Sequence, residues 1–213
     1  GCIVTIDAMG CQRKIAREIV DADADYVLAL KGNQETVHEE VKSYMDDAVT
    51  RWTKAPASVP ELDCYETVEK DHGRIETRRF WQSDRVDWFA DRNQWEKLSG
   101  FGMVESTREI QAVATTERRY YLLSIPRNAR QFAKASRGHW GVENSLHWVL
   151  DVVFKEDQSR AREGYAAQNL ATLRRLALNA LKREPGKRSM RLKVKRAGWN
   201  NDYLLSVLGI NPA

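Results

Sequence analysis

Two short apolar runs near the start of the chain limit its fold more than any other feature. Cys2-Ile-Val-Thr-Ile-Asp7 is a β-branched run that ends in a carboxylate, and Asp25-Tyr-Val-Leu-Ala-Leu-Lys31 is a second apolar run, stopped by Gly32-Asn33. Apolar runs of this length, without polar alternation, read as strands covered on both faces. Between them, Gln12 to Val20 puts Ile15, Ile19 and Val20 on one helical face. Two buried strands joined by a helix are expected to pair in parallel, with a right-handed crossover. The chain is therefore expected to be α/β. Asp7 would stand at the C-terminal end of a parallel strand, where open α/β sheets place their active sites. An Asp at that place also serves as a turn residue that caps the next helix.

Further along, Glu35 to Thr50 reads as a charged helix, and Pro56 and Pro60 mark a loop. The texture then changes. Cys64–Lys70, Ile75–Gln82, Gly102–Thr107, Gln111–Thr115 and Tyr120–Ser124 read as strands or strand pieces, with a helical stretch near Asp87–Leu98. After Pro126 the chain is expected to be helical to about Arg183. One buried face is expected at Val142, Leu146, Val149, Leu150 and Val153, and another at Leu170, Leu173, Ala177 and Leu181. The reading divides the chain into an α/β part (1–60), a mainly antiparallel β insertion (61–126), a helical part that returns to the core (127–183) and a basic tail (184–213).

Charge separates along this plan. Residues 1–71 hold 8 Lys/Arg against 15 Asp/Glu, a net of −7, and residues 72–213 hold 26 against 15, a net of +11. A basic half is the footprint of a polyanionic partner, most often nucleic acid. The density peaks at Lys182, Arg183, Lys187, Arg188, Arg191, Lys193, Lys195 and Arg196, with Glu184 as the one acid among them. Such a run suits phosphate contacts, and a solvated charge run is the bland alternative. No apolar stretch approaches the roughly 18 residues of a membrane span, so no membrane partner is expected. A chain that opens on Gly1 and enters a strand at once, with no leader in view, reads as one whose beginning lies upstream. Cys2, Cys11 and Cys64 form no CxxC pair and are expected to be plain thiols.

Chemistry-bearing residues gather in Arg137-Gly-His139-Trp-Gly-Val-Glu143-Asn-Ser-Leu-His147-Trp-Val-Leu-Asp151. On a continuous helix His139, Glu143, His147 and Asp151 recur every four residues and line one side. The row fits a His/Glu metal site of a hydrolase, or a single acid, Glu143, that joins a carboxylate cluster, or a polar face of helix-stabilising pairs. In Asp71-His-Gly-Arg74-Ile-Glu76-Thr-Arg78, Arg74, Glu76 and Arg78 alternate onto one face of a strand as a basic ribbon or as an edge guarded by charge.

Taken together, Val4-Thr-Ile-Asp7-Ala-Met-Gly-Cys-Gln12, Asp25-Tyr-Val-Leu-Ala-Leu-Lys31-Gly-Asn-Gln34, His72-Gly-Arg-Ile-Glu-Thr-Arg78, His139-Trp-Gly-Val-Glu-Asn144 and Leu146-His-Trp-Val-Leu-Asp151 closely resemble one family. It is the H-repeat-associated family of bacterial insertion-sequence transposases, within the DDE superfamily. Asn169-Leu-Ala-Thr-Leu-Arg174 and Ala177-Leu-Asn179 continue the match, which runs from Gly1 to about Leu208. The resemblance implies a ribonuclease-H-like core and three acids that hold two Mg²⁺ or Mn²⁺ ions. Asp7 matches the second acid and Glu143 the third. The first would lie on a strand before Gly1, so this chain on its own is expected to be inactive, whether as a fragment or as a remnant that only binds DNA. The implied partners are double-stranded DNA, at element ends and target, and a second copy of the protein, in the bacterial cytoplasm at the nucleoid. DNA contacts are expected from Arg74, Arg78, Arg137, His139, Lys187, Arg188, Arg191, Lys193, Lys195 and Arg196. Related enzymes carry a Tyr, an Arg and a Lys around the final Glu. Here Ser136, His139 and Leu150 occupy those places, and Arg137 is expected to do the Arg's work.

Overall fold

Ile3–Ile6 (β1) and Asp25–Leu30 (β2) pair in parallel, with Arg13–Asp21 (α1) between them. This is the expected strand–helix–strand unit. The computed structural model describes residues 1–71, 74–110 and 113–210, and the backbone alone at 71, 143 and 144. Glu35–Lys54 (α2) follows, then four antiparallel strands: Leu62–Asp71 (β3), Arg74–Ser83 (β4), Gly100–Ile110 (β5) and Val113–Leu123 (β6). They extend the parallel pair into one six-stranded sheet of order β1-β2-β6-β5-β4-β3, in which β6 runs antiparallel to β2. The sheet and its helices make a mixed α/β core, the class expected of a ribonuclease-H-like fold.

The strand period of two divides the side chains between the faces. Tyr26, Leu28, Trp81, Met103, Tyr120 and Leu122 pack with Ala16 and Ile19 of α1 and with Val37, Val41 and Met45 of α2. Those three α2 residues recur every four positions, which is why that helix docks along one stripe. On the other face, Val27, Phe80, Val104, Tyr121 and Leu123 meet Phe132 and Ala133 of Ala129–Val142 (α3). The start of α3 is held chemically. Asn128 Oδ1 accepts the Gln131 N–H at 2.9 Å, and the Asp63 carboxylate accepts the Ala129 N–H at 2.8 Å, so two otherwise orphaned donors are satisfied. The fully buried Gln82 adds a tie from β4, accepting the Asn128 N–H and donating to the Pro126 carbonyl.

By compactness the chain falls into two units, 1–139 and 140–213. In the second, wide-turn helical segments at Glu143–His147 and Val149–Val153 precede Ala166–Arg183 (α4), Met190–Trp199 (α5) and Asn201–Val207 (α6). Its core is built on Val149, Leu150 and Leu178. No helix among the described residues is long and apolar enough to cross a membrane.

Several local expectations are corrected. Asp87–Leu98 holds only a short 3₁₀ turn, Ala90–Gln94, because the buried Phe89 and Trp95 peg its two ends and leave a polar stretch with no apolar period between them. The separate strand pieces Gln111–Thr115 and Tyr120–Ser124 are one strand, β6, paired along its length with β5; Gln111 itself lies outside the described residues. Helix is interrupted over 154–165. On α4 the buried side chains are Leu178 and Leu181, whereas Leu170, Leu173 and Ala177 are exposed. Val142 is exposed too, while Val149 and Leu150 are buried as expected.

Candidate active site

Asp7 follows directly on β1, and Lys31 directly on β2. Because the two strands are parallel, both side chains emerge at the same end of the sheet, and the Lys31 ammonium stands 3.4 Å from the Asp7 carboxylate. A hydrogen bond from the Ala8 N–H outweighs partial burial, and the charges of Lys31 and His139 add to it. Together they hold the Asp7 carboxyl below its ordinary value of 3.8. Asp7 is thus an ionised, half-exposed, hard oxygen donor at neutral pH.

His139 reaches this end of the sheet from α3. Its Nδ1 lies 3.3 Å from the Thr5 hydroxyl, on the α3 side of β1. Thr5 is the register partner of Val27, which belongs to the core beneath α3, so strand register and helix docking together bring the imidazole to this strand.

The loop after Asp7 is fastened by three side-chain amides. Gln12 donates to the Met9 carbonyl at 3.0 Å, Asn33 to the Ala8 carbonyl, and Gln34 to the Cys11 carbonyl at 3.1 Å. Gly10 lets the loop turn tightly, since a Cβ there would meet Ile6 Cγ2 at 2.3 Å. These positions were not among the expected site residues. The signal present was Gly32-Asn33-Gln34 following a strand, which marks a turn but does not say what the amides bind.

Glu143 begins the first wide-turn segment, in the second unit. Its side chain lies outside the described residues, and so does any Asp7–Glu143 separation. The hydrogen bonds of such a segment run i→i+5, so the four-residue spacing of His147 and Asp151 no longer stacks side chains as an α-helix would. Partial burial and the neighbouring Asp157 and Glu156 charges raise the Asp151 carboxyl above its ordinary 3.8. Among the described residues, no group of three or more His, Cys, Asp or Glu side chains comes together in a way that could hold a metal ion. Burial pushes the Cys11 thiol up to about 12 and the Cys64 thiol up to about 11, so neither is a thiolate at neutral pH.

The expected DNA-contacting cations have unlike surroundings. Arg78 is bound by Glu69 at 2.8 Å and Glu76 at 2.7 Å, and Arg137 also pairs with Glu69. Arg74 is the first residue of β4, while His72 and Gly73 of its motif are outside the described residues. In the tail, Lys187, Arg188, Arg191 and Lys195 are exposed, and the Arg196 guanidinium lies 4.4 Å from the centre of the Tyr203 ring. Lys193 differs. It is 6% exposed and donates to the carbonyls of Leu181 and Glu184, with the Glu184 carboxylate 2.9 Å away. Helical periodicity turns this one cation of the run inward, where it ties α5 to the end of α4.

Comparison with known proteins adds an independent finding. The family described as "Transposase DDE domain" matches residues 1–180. The chain is 38% identical to "Putative transposase YncI" of Escherichia coli O157:H7, over 97% of this chain and 52% of that protein. It is 37% identical to "H repeat-associated putative transposase YhhI" of Escherichia coli K12, over 98% of this chain and 55% of that protein. The chain thus spans about half the length of these curated relatives. No solved structure matches it.

Proposed function

Since the chain belongs to the DDE transposase family, we propose that it provides part of the catalytic core for metal-dependent cleavage and transfer of DNA strands at insertion-sequence ends. The observation that carries this reading is Asp7. It is an ionised carboxylate at the C-terminal end of the parallel pair, on a loop held by three amide side chains, with Lys31 and His139 beside it. On the strength of the resemblance, Asp7 is proposed as the second acid of the family. Glu143 is proposed as the third acid on the strength of the resemblance. Residues 61–126 are proposed as an insertion into the core and 184–213 as a basic tail.

A half-exposed, ionised carboxylate with its pKa held low is a fitting ligand for Mg²⁺ or Mn²⁺, which prefer hard oxygen donors. Two such ions, when bound, would activate an attacking oxygen and neutralise the leaving one at a phosphodiester. Asp7 supplies negative charge, and Lys31 offsets that charge while the ions are away. Thr5 keeps the His139 ring facing this end of the sheet. Lys187, Arg188, Arg191, Lys195 and Arg196 supply phosphate contacts on duplex DNA, bound by a homodimer. Lys193 contributes by holding the tail in shape.

Two divalent ions carry four positive charges, and Asp7 with Glu143 offers two negative ones. Asp7 and Glu143 are therefore expected to need a further acid to hold both ions. The test compares Mn²⁺-dependent nicking of a duplex carrying the element's ends by the protein with all three acids and by its Asp7→Asn and Glu143→Gln variants. Loss of nicking with DNA binding kept supports the assignment. Nicking by Asp7→Asn at the unaltered rate refutes it.

A further inference from the structure

Many charged residues on and around the sheet pair with one another. Arg79 binds Glu66, Arg118 binds Glu105 and Asp46, Arg78 binds Glu69 and Glu76, and Arg127 binds Asp84. The groove between β3 and α3 breaks this pattern. It encloses about 650 Å³ and is lined by Tyr65 and Thr67 from β3 and by Arg130, Gln131, Lys134 and Arg137 from α3. Arg130, Lys134 and Arg137 recur at helical spacing, so they form one row roughly 10 Å long. Arg137 is engaged by Glu69, whereas Arg130 and Lys134 have no carboxylate partner among the described residues. Arg130 is nevertheless held in place, its guanidinium 5.4 Å from the centre of the Tyr65 ring.

The acid nearest the start of α3 is already committed. Asp63 accepts the Ala129 N–H, so it caps the helix. The Thr67 hydroxyl is sealed from solvent and has no hydrogen-bond partner among the described residues, so it floors the groove without offering a contact. What opens to solvent is a pre-positioned guanidinium, an ammonium one turn on, and the amide of Gln131. Two like charges kept side by side without a counterion repel each other, and a bound anion relieves that repulsion.

We propose that this groove seats backbone phosphate of duplex DNA, with Arg130 and Lys134 as the contacting cations and Tyr65 as the residue that positions Arg130. This rests on the transposase reading and adds to it a second basic surface, on the first unit, separate in sequence from the tail. A groove with no base-reading geometry of its own would contribute affinity without sequence preference.

The test measures filter binding of a mixed-sequence duplex by the chain and its Arg130→Gln/Lys134→Gln variant across a salt series. Each phosphate contact contributes about 0.9 to the log–log slope, so the variant is expected to lose about 1.8. Lys134 acetylation in the unaltered chain, followed by mass spectrometry, is a second readout that needs no substitution. Saturating duplex is expected to protect Lys134. An unchanged slope in a folded variant, or Lys134 labelled equally fast with duplex bound, overturns the proposal while leaving the family's DNA reading intact. Failure of the unaltered chain to bind any duplex overturns both. Protection of Lys134 by inorganic phosphate but not by duplex would mark a small-anion site and would also overturn it.

Discussion

Gly102 on β5 faces Phe132 of α3 at close range, and substituting it tests how that helix is seated. A Cβ at this position would stand 2.7 Å from Phe132 Cζ, 3.0 Å from Phe132 Cε1 and 3.1 Å from Leu123 Cδ1. Carbon atoms prefer about 3.5–4.0 Å. Phe132 is fully buried and cannot yield freely, since its ring stands edge-on to Phe80 at 6.1 Å and to Tyr121 at 5.2 Å. Overpacking of this kind costs about 1–3 kcal/mol. Alanine recovers about 0.5–1 kcal/mol of that by restricting the unfolded backbone. Gly102→Ala is therefore expected to destabilise the chain by up to about 2.5 kcal/mol. Phe132→Leu removes the ring tip together with two edge-to-face pairs worth about 0.5–1.5 kcal/mol each. In that background the added methyl finds room, and its penalty is expected to fall close to zero. The double-mutant cycle should thus show a coupling of about 1 kcal/mol or more. Urea unfolding followed by tryptophan fluorescence measures all four proteins, provided the m-values agree. Additivity within about 0.5 kcal/mol would refute the seating of α3 on Gly102.

Two further outcomes separate structural from functional charge. Lys193→Met is expected to lower the melting temperature and leave the salt dependence of DNA binding unaltered, since its ammonium is buried against Glu184 and two carbonyls; calorimetry paired with filter binding checks it, and a shallower slope in a folded variant would return Lys193 to the DNA surface. Partial burial works against ionisation of Asp25, but hydrogen bonds from Lys97 and Ser124 and the Lys97 charge prevail and hold its carboxyl below 3.8. Its contribution is therefore complete above the unfolded value and lost as pH falls through the lower folded one. Lys97→Met should reduce stability at pH 7 and soften the acid transition, and an NMR titration showing no rise in the Asp25 midpoint would contradict this.

Legibility in the sequence tracked the range of the forces involved. The β1–α1–β2 unit could be read because β-branched runs and helical spacing act over a few neighbouring residues, and Asp7 could be placed at a strand end for the same reason. The four antiparallel strands were visible in outline, although β6 was divided in two: its solvated middle, Thr115 to Arg118, lacks the apolar alternation that marks a strand. Pairing with β5 makes it one strand, through backbone hydrogen bonds indifferent to side-chain polarity. The 87–98 stretch went the other way, with two buried aromatics prevailing over helix propensity. On α4 the spacing showed that an apolar face exists, but which of two overlapping stripes is covered depends on what packs there. The same limit applies to charge. Lys193, Arg78 and Lys134 look alike in a row of letters, yet one is buried, one is bound between two glutamates and one has no carboxylate partner among the described residues. Lys31 and His139 become companions of Asp7 only through strand pairing and helix docking, 24 and 132 positions away in sequence. Side-chain chemistry is written residue by residue, whereas the field each group feels is a sum over neighbours that only folding brings within a few ångströms.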